Sequence, residues 1–75
     1  MPKLPQVKYK QLTKKLKKGG FEFYRQARGS HEIWFNPSNN KFVTVPKHSG
    51  KTFKKGTLRG IISDMGVTVN KLLEL

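Results

Sequence analysis

The sequence predicts an α+β domain of order α-β-β-β-α, with a three-stranded antiparallel sheet and both helices on one of its faces. Two segments, Val7 to Lys18 and Lys54 to Met65, carry apolar residues at helical spacing. Between them lie three short runs rich in aromatic and β-branched residues, separated by strong turn formers. Those connections are too short for crossovers, so the strands must follow one another as hairpins. A sheet with one apolar face needs both helices on that face, which leaves the other face to solvent.

In the first helix, Tyr9, Leu12 and Leu16 form one stripe at i, i+3 and i+7, and lysines fill the rest. Lys15, Lys17 and Lys18 suit the negative end of the helix dipole. Gly19-Gly20 supplies the stop, where a left-handed residue is needed. The lysine face is either plain solvated surface or a rail for phosphates.

Phe21 to Gln26 reads as the first strand, with Phe21 and Phe23 on one face and Glu22, Tyr24 and Gln26 on the other. Ala27-Arg28-Gly29-Ser30 is a tight connection. His31 to Asn36 is the second strand, and Pro37-Ser38-Asn39-Asn40 is a turn. Lys41 to Val45 is the third strand, ended by Pro46, which cannot donate to a ladder. By parity, Ile33 takes the core face and His31 and Phe35 go with it. Trp34 and Tyr24 then fall on the open face.

Lys47 to Phe53 is a basic loop containing glycine. The second helix carries Leu58, Ile61, Ile62 and Met65 at i, i+3, i+4 and i+7, and Gly66 ends it. Thr68 reads as the N-cap of a short terminal turn through Asn70 to Glu74, with Leu72, Leu73 and Leu75 docking it on the core.

The 75 residues make a single domain, 1–75, with 1–6 expected as a flexible tail. A chain this short buries only about 60% of its unfolded surface, so any site belongs in a surface groove. With no cysteine, a disulfide scaffold and a thiolate metal site are excluded. Two histidines and four acidic residues make a poor metal cage, and no metal or other cofactor is expected. No apolar run approaches the roughly 20 residues of a membrane span, and the first residues lack a signal-peptide core. A cytoplasmic protein with no membrane partner is the expectation.

Charge is the strongest compositional signal. Sixteen Lys and Arg against four Asp and Glu give +12, which favours a polyanionic partner. The basic residues are spread over several elements, unlike those of a membrane-surface helix.

His31, which follows Gly29-Ser30, is the most economical candidate for chemistry. Histidine titrates near neutrality and serves as general acid or base. RNA carries its own nucleophile, the 2′-OH beside each phosphorus. Cleavage therefore needs a base, an acid and positive charge on the developing phosphorane. Arg25, Arg28, Lys47 and Lys51 are candidates for that charge, and Ser30 for a hydrogen bond to phosphate or ring. Against this stands the parity of His31, which suits a half-buried structural histidine unless a bulge re-aims it. His48 lies in a loop that either holds a phosphate or only its own hydrogen bonds. Trp34 and Tyr24 have three readings: base stacking, a cross-strand aromatic pair, or a protein docking face.

Three blocks together resemble a known family. They are Gly19-Gly20-Phe21 with Gln26-Ala27-Arg28-Gly29-Ser30-His31, then Val43 to Lys51, then Lys54-Lys55-Gly56-Thr57-Leu58-Arg59-Gly60-Ile61-Ile62 with Gly66. They resemble the HicA (YcfA-like) toxins of bacterial toxin–antitoxin pairs, over about Lys8 to Leu73. The resemblance implies a fold like the double-stranded-RNA-binding domain and a ribosome-independent mRNA interferase activity. It also implies neutralisation by a HicB-type antitoxin, and it carries the family's functional histidine onto His31. Two other readings of the same residues are a non-catalytic RNA-binding module and a domain that only meets an acidic protein.

Overall fold

The computed structural model describes residues 4–47 and 50–75. The elements are α1 (Tyr9–Lys18), β1 (Glu22–Gln26), β2 (His31–Asn36), β3 (Lys41–Pro46), α2 (Lys55–Met65) and α3 (Val69–Glu74). The sheet is antiparallel in the order β1-β2-β3, so β2 is central. This is the α-β-β-β-α arrangement that the hydrophobic spacing predicts. Among the described residues, no helix is long and apolar enough to cross a membrane.

α1 starts two residues after the expected Val7, because the chain before it is in use elsewhere. The Phe53 amide donates to the Val7 carbonyl at 3.0 Å, and Lys8 bridges Thr52 in antiparallel fashion. Lys8 is therefore extended and sits at the N-cap, with its N–H donating to Gln11 Oε1 at 2.9 Å. At the other end, Phe21 N–H reaches Leu16 O and Gly20 N–H reaches Lys17 O, at 2.9 and 3.1 Å. These two bonds satisfy carbonyls that the end of a helix leaves free.

Leu12 and Leu16 of α1, Leu58, Ile61, Ile62 and Met65 of α2, and Leu72 of α3 form one core with Trp34, Val43 and Val45 of the sheet. Both helices thus cover the same sheet face. Leu4 and Leu75 pack against this core, whereas Leu73 is exposed instead of docked. Thr68 caps α3 by accepting from the Lys71 amide at 3.1 Å. Gly66, which ends α2, has φ of 75°, and a Cβ there would lie 2.7 Å from Lys41 Cε. The left-handed φ is what calls for glycine, since the end of the Lys41 side chain can move aside.

The facing of β2 corrects the sequence reading. Glu32, Trp34 and Asn36 are buried under the helices, while His31 is exposed and Ile33 and Phe35 are half-buried on the open face. Trp34 is therefore a core residue and not part of the open face. Glu32 and Asn36, the buried polar side chains among the described residues, are satisfied. The Glu32 carboxylate accepts from Tyr9 OH at 2.5 Å and from Trp34 Nε1 at 3.2 Å. Asn36 donates through Nδ2 to Gly19 O at 3.2 Å and accepts from the Ser38 amide at 2.9 Å.

Tyr9 is pushed up to about 12, first by burial, then by its hydrogen bond to Glu32 and by that group's charge. A phenol whose folded pKa lies above its usual 10.0 adds stability below pH 10, and this is lost as pH rises towards about 12. Tyr9→Phe leaves Glu32 with one donor, and we expect it to cost about 1–3 kcal/mol at neutral pH. In urea titrations, the gap between wild type and variant should close between pH 10 and about 12. A gap that persists unchanged at the upper end would refute the pairing.

Candidate functional site

A bulge in β1 builds the open face. Glu22 pairs with Phe35 and Phe23 with Trp34, then the register shifts so that Arg25 pairs with Ile33. One extra residue, Tyr24, is absorbed between them, so Tyr24 and Arg25 both turn towards the open face. Without the bulge, Arg25 would share the buried side with Phe23. Phe23 itself stays on the helix side, half-exposed, with its ring edge-on to Trp34 at 6.1 Å between centroids.

Along β2 the open face carries His31, Ile33 and Phe35, paired across to Pro46, Thr44 and Phe42 of β3. The exposed imidazole of His31 thus stands at one end of this face, beside the β1–β2 connection. The structural role suggested by its parity does not apply, because the parity set belongs to the solvent side. Its backbone is well held. The Ala27 amide and Gln26 Nε2 both donate to the His31 carbonyl, at 2.8 and 3.0 Å. The His31 amide donates to Arg28 O at 3.3 Å.

The other candidates divide into groups. Arg25 is exposed on the same face as His31. Arg28 and Ser30 are exposed in the connection just before His31, where Gly29 has φ of 65°. The Ser30 carbonyl accepts from the Lys47 amide at 2.8 Å, which ties this connection to the end of β3. The Lys47 side chain turns the other way: its Nζ lies 5.8 Å over the Tyr9 ring, on the helix side of the sheet. Lys51 lines a shallow groove with Pro46, Thr52, Phe53, Lys54 and Thr57. Pro46, the strand partner of His31, belongs to the lining of that groove. His48 and Ser49 lie outside the described residues.

At the far end of the same face, Tyr24, Phe35 and Phe42 form an aromatic cluster. Phe35 and Phe42 have centroids 4.6 Å apart, and Tyr24 lies 5.8 Å from Phe35 and 5.5 Å from Phe42. Tyr24 was expected on this face, but Phe35 and Phe42 were not. The length of the Pro37–Asn40 turn signals their pairing. With Asn36 opposite Lys41, Phe35 must face Phe42 and Trp34 must face Val43.

Among curated proteins there is no significant match to the chain. A family model does match, that of the HicA toxin of bacterial toxin–antitoxin, over residues 9–67. This span takes in α1, the whole sheet, α2 and every candidate residue above. The chain belongs to the HicA family, and is thus the toxin half of a bacterial toxin–antitoxin pair.

Proposed function

We propose that this toxin is an endoribonuclease acting on mRNA, with His31 as its general acid–base. In this scheme the imidazole takes the proton from a 2′-OH, whose oxygen attacks the adjacent phosphorus. The bond to the 5′-oxygen breaks and that oxygen takes up a proton. The products are a 2′,3′-cyclic phosphate and a 5′-hydroxyl. Arg25 and Arg28 supply positive charge near the phosphorane, and the Ser30 hydroxyl offers a hydrogen bond. Lys51 and Lys47 bind flanking phosphates, Lys47 only after leaving the Tyr9 ring.

The observation that supports this reading is the exposure of His31 on a face shared with Arg25, in a chain of net charge +12. A histidine held by backbone bonds on a central strand, with its ring in solvent, can exchange protons with water between turnovers. The scheme asks for no metal ion. In this reading the toxin works in the cytoplasm, and its antitoxin is a HicB-type protein.

The test is incubation of purified toxin with RNA in the presence of a metal chelator. Cleavage at an undiminished rate, with cyclic-phosphate ends, is expected. Tight RNA binding without cleavage at any enzyme concentration would instead make the chain a binding module. Loss of cleavage on chelation, restored by a divalent cation, would overturn the metal-independent scheme.

A further inference from the structure

The open face carries more aromatic surface than the proposed cleavage step uses. Tyr24 and Phe42 are 56% and 52% exposed, although aromatic residues of this size are usually buried in a small domain. They stand with Phe35 in one cluster, on the face that also presents His31 and Arg25. Between His31 and Phe35 the strand advances about 13 Å, so imidazole and aromatic cluster mark the two ends of a short track. Ile33 floors the track, with Arg25 and Thr44 as its strand neighbours. We infer that this track is a binding site for single-stranded RNA, in which bases next to the scissile phosphate stack on Tyr24 and Phe42. The inference rests on the ribonuclease reading for its substrate, and adds which form of RNA is held and by which side chains.

Two physical arguments favour a single strand over a duplex. The bases of an A-form duplex are stacked inside it, and its accessible surface is phosphate and 2′-hydroxyl. Exposed rings at one end of the binding face gain nothing from such a surface. A single strand, in contrast, offers a π-face with every base, and stacking tolerates any sequence. The second argument is stereochemical. The 2′-oxygen attacks opposite the departing 5′-oxygen, and the A-form backbone does not allow that line. A strand whose bases are held apart on protein rings is free to adopt it.

Charge decides between RNA and other occupants. A second copy of this chain would bring another +12 to the same face. An acidic protein is electrostatically acceptable and would also bury exposed rings, but it gives no reason for them to stand in line with a histidine and an arginine. A polyanion with aromatic bases matches both features of the face.

The experiment uses the full chain and a 2′-O-methyl RNA oligonucleotide, which cannot be cleaved through its 2′-oxygen, alone or annealed to its complement. Binding is measured at one fixed salt concentration. Tyr24→Ala and Phe42→Ala should each weaken single-strand binding roughly 5- to 100-fold and leave duplex binding nearly unchanged. Phe42→Trp, which keeps a ring, should retain or tighten it. Equal loss for both forms of RNA, or no loss for either, overturns the inference. So does a pattern in which the alanine variants bind RNA normally but no longer bind the antitoxin. Failure of the ribonuclease reading would look different, with ring-dependent single-strand binding intact and unmodified RNA left uncut.

Discussion

His31→Ala should lower the rate of RNA cleavage by roughly 10²–10⁴-fold, the usual contribution of one positioned acid–base group. RNA binding should stay close to that of wild type, because the alanine keeps every backbone bond that fixes this position. The His31 amide and carbonyl, which bond Arg28, Ala27 and Gln26, are untouched by the change. The exposed ring fills no cavity, so the fold should be unaffected. The measurement is single-turnover cleavage with binding determined in parallel. A variant that cleaves as fast as wild type would remove His31 from the mechanism. A variant that loses binding and cleavage together would make it a phosphate contact.

Trp34→Ala should have the largest effect on stability, about 3–5 kcal/mol. The indole is 4% exposed, and its N–H is one of two donors to the buried Glu32 carboxylate. Removing it opens a cavity beneath the helices and leaves that carboxylate with Tyr9 alone. A domain of this size has only about 4–11 kcal/mol in total, so the variant should lose a large share of its stability and unfold at much lower urea than wild type. Trp34 is the one tryptophan, so circular dichroism is the proper probe of unfolding. Trp34→Phe keeps much of the volume but loses the N–H, and should cost clearly less. An alanine variant within about 1 kcal/mol of wild type would mean that the indole does not fill the core.

Helical spacing in the sequence was a reliable guide. Leu58, Ile61, Ile62 and Met65 are all buried, and β2 has the expected bounds. The facing of β2 was harder to read, for a physical reason. Its more apolar set, His31, Ile33 and Phe35, lies outside, and the set with Glu32 and Asn36 lies inside. Burial of those polar groups depends on Tyr9 and Gly19, which are 23 and 17 residues away and offer no local signal. Val43 and Val45 fix the facing through the length of the intervening turn. The bulge at Tyr24 has no marker of its own, since no glycine stands there. Of the candidate site, His31 and the cations could be named from the sequence as candidates. The aromatic cluster required the hairpin register, and the turning of Lys47 towards Tyr9 required the fold.

The open aromatic face also governs how the molecule behaves in bulk. Two copies have rings that would stick together, and a charge of +12 each that holds them apart. The repulsion reaches about 10 Å at 0.1 M salt but only about 3 Å at 1 M, whereas the attraction between rings is hardly screened. Colloidal stability of the isolated toxin is therefore electrostatic in origin. High salt, which usually strips nucleic acid from a basic protein during purification, here also removes what keeps the protein dispersed.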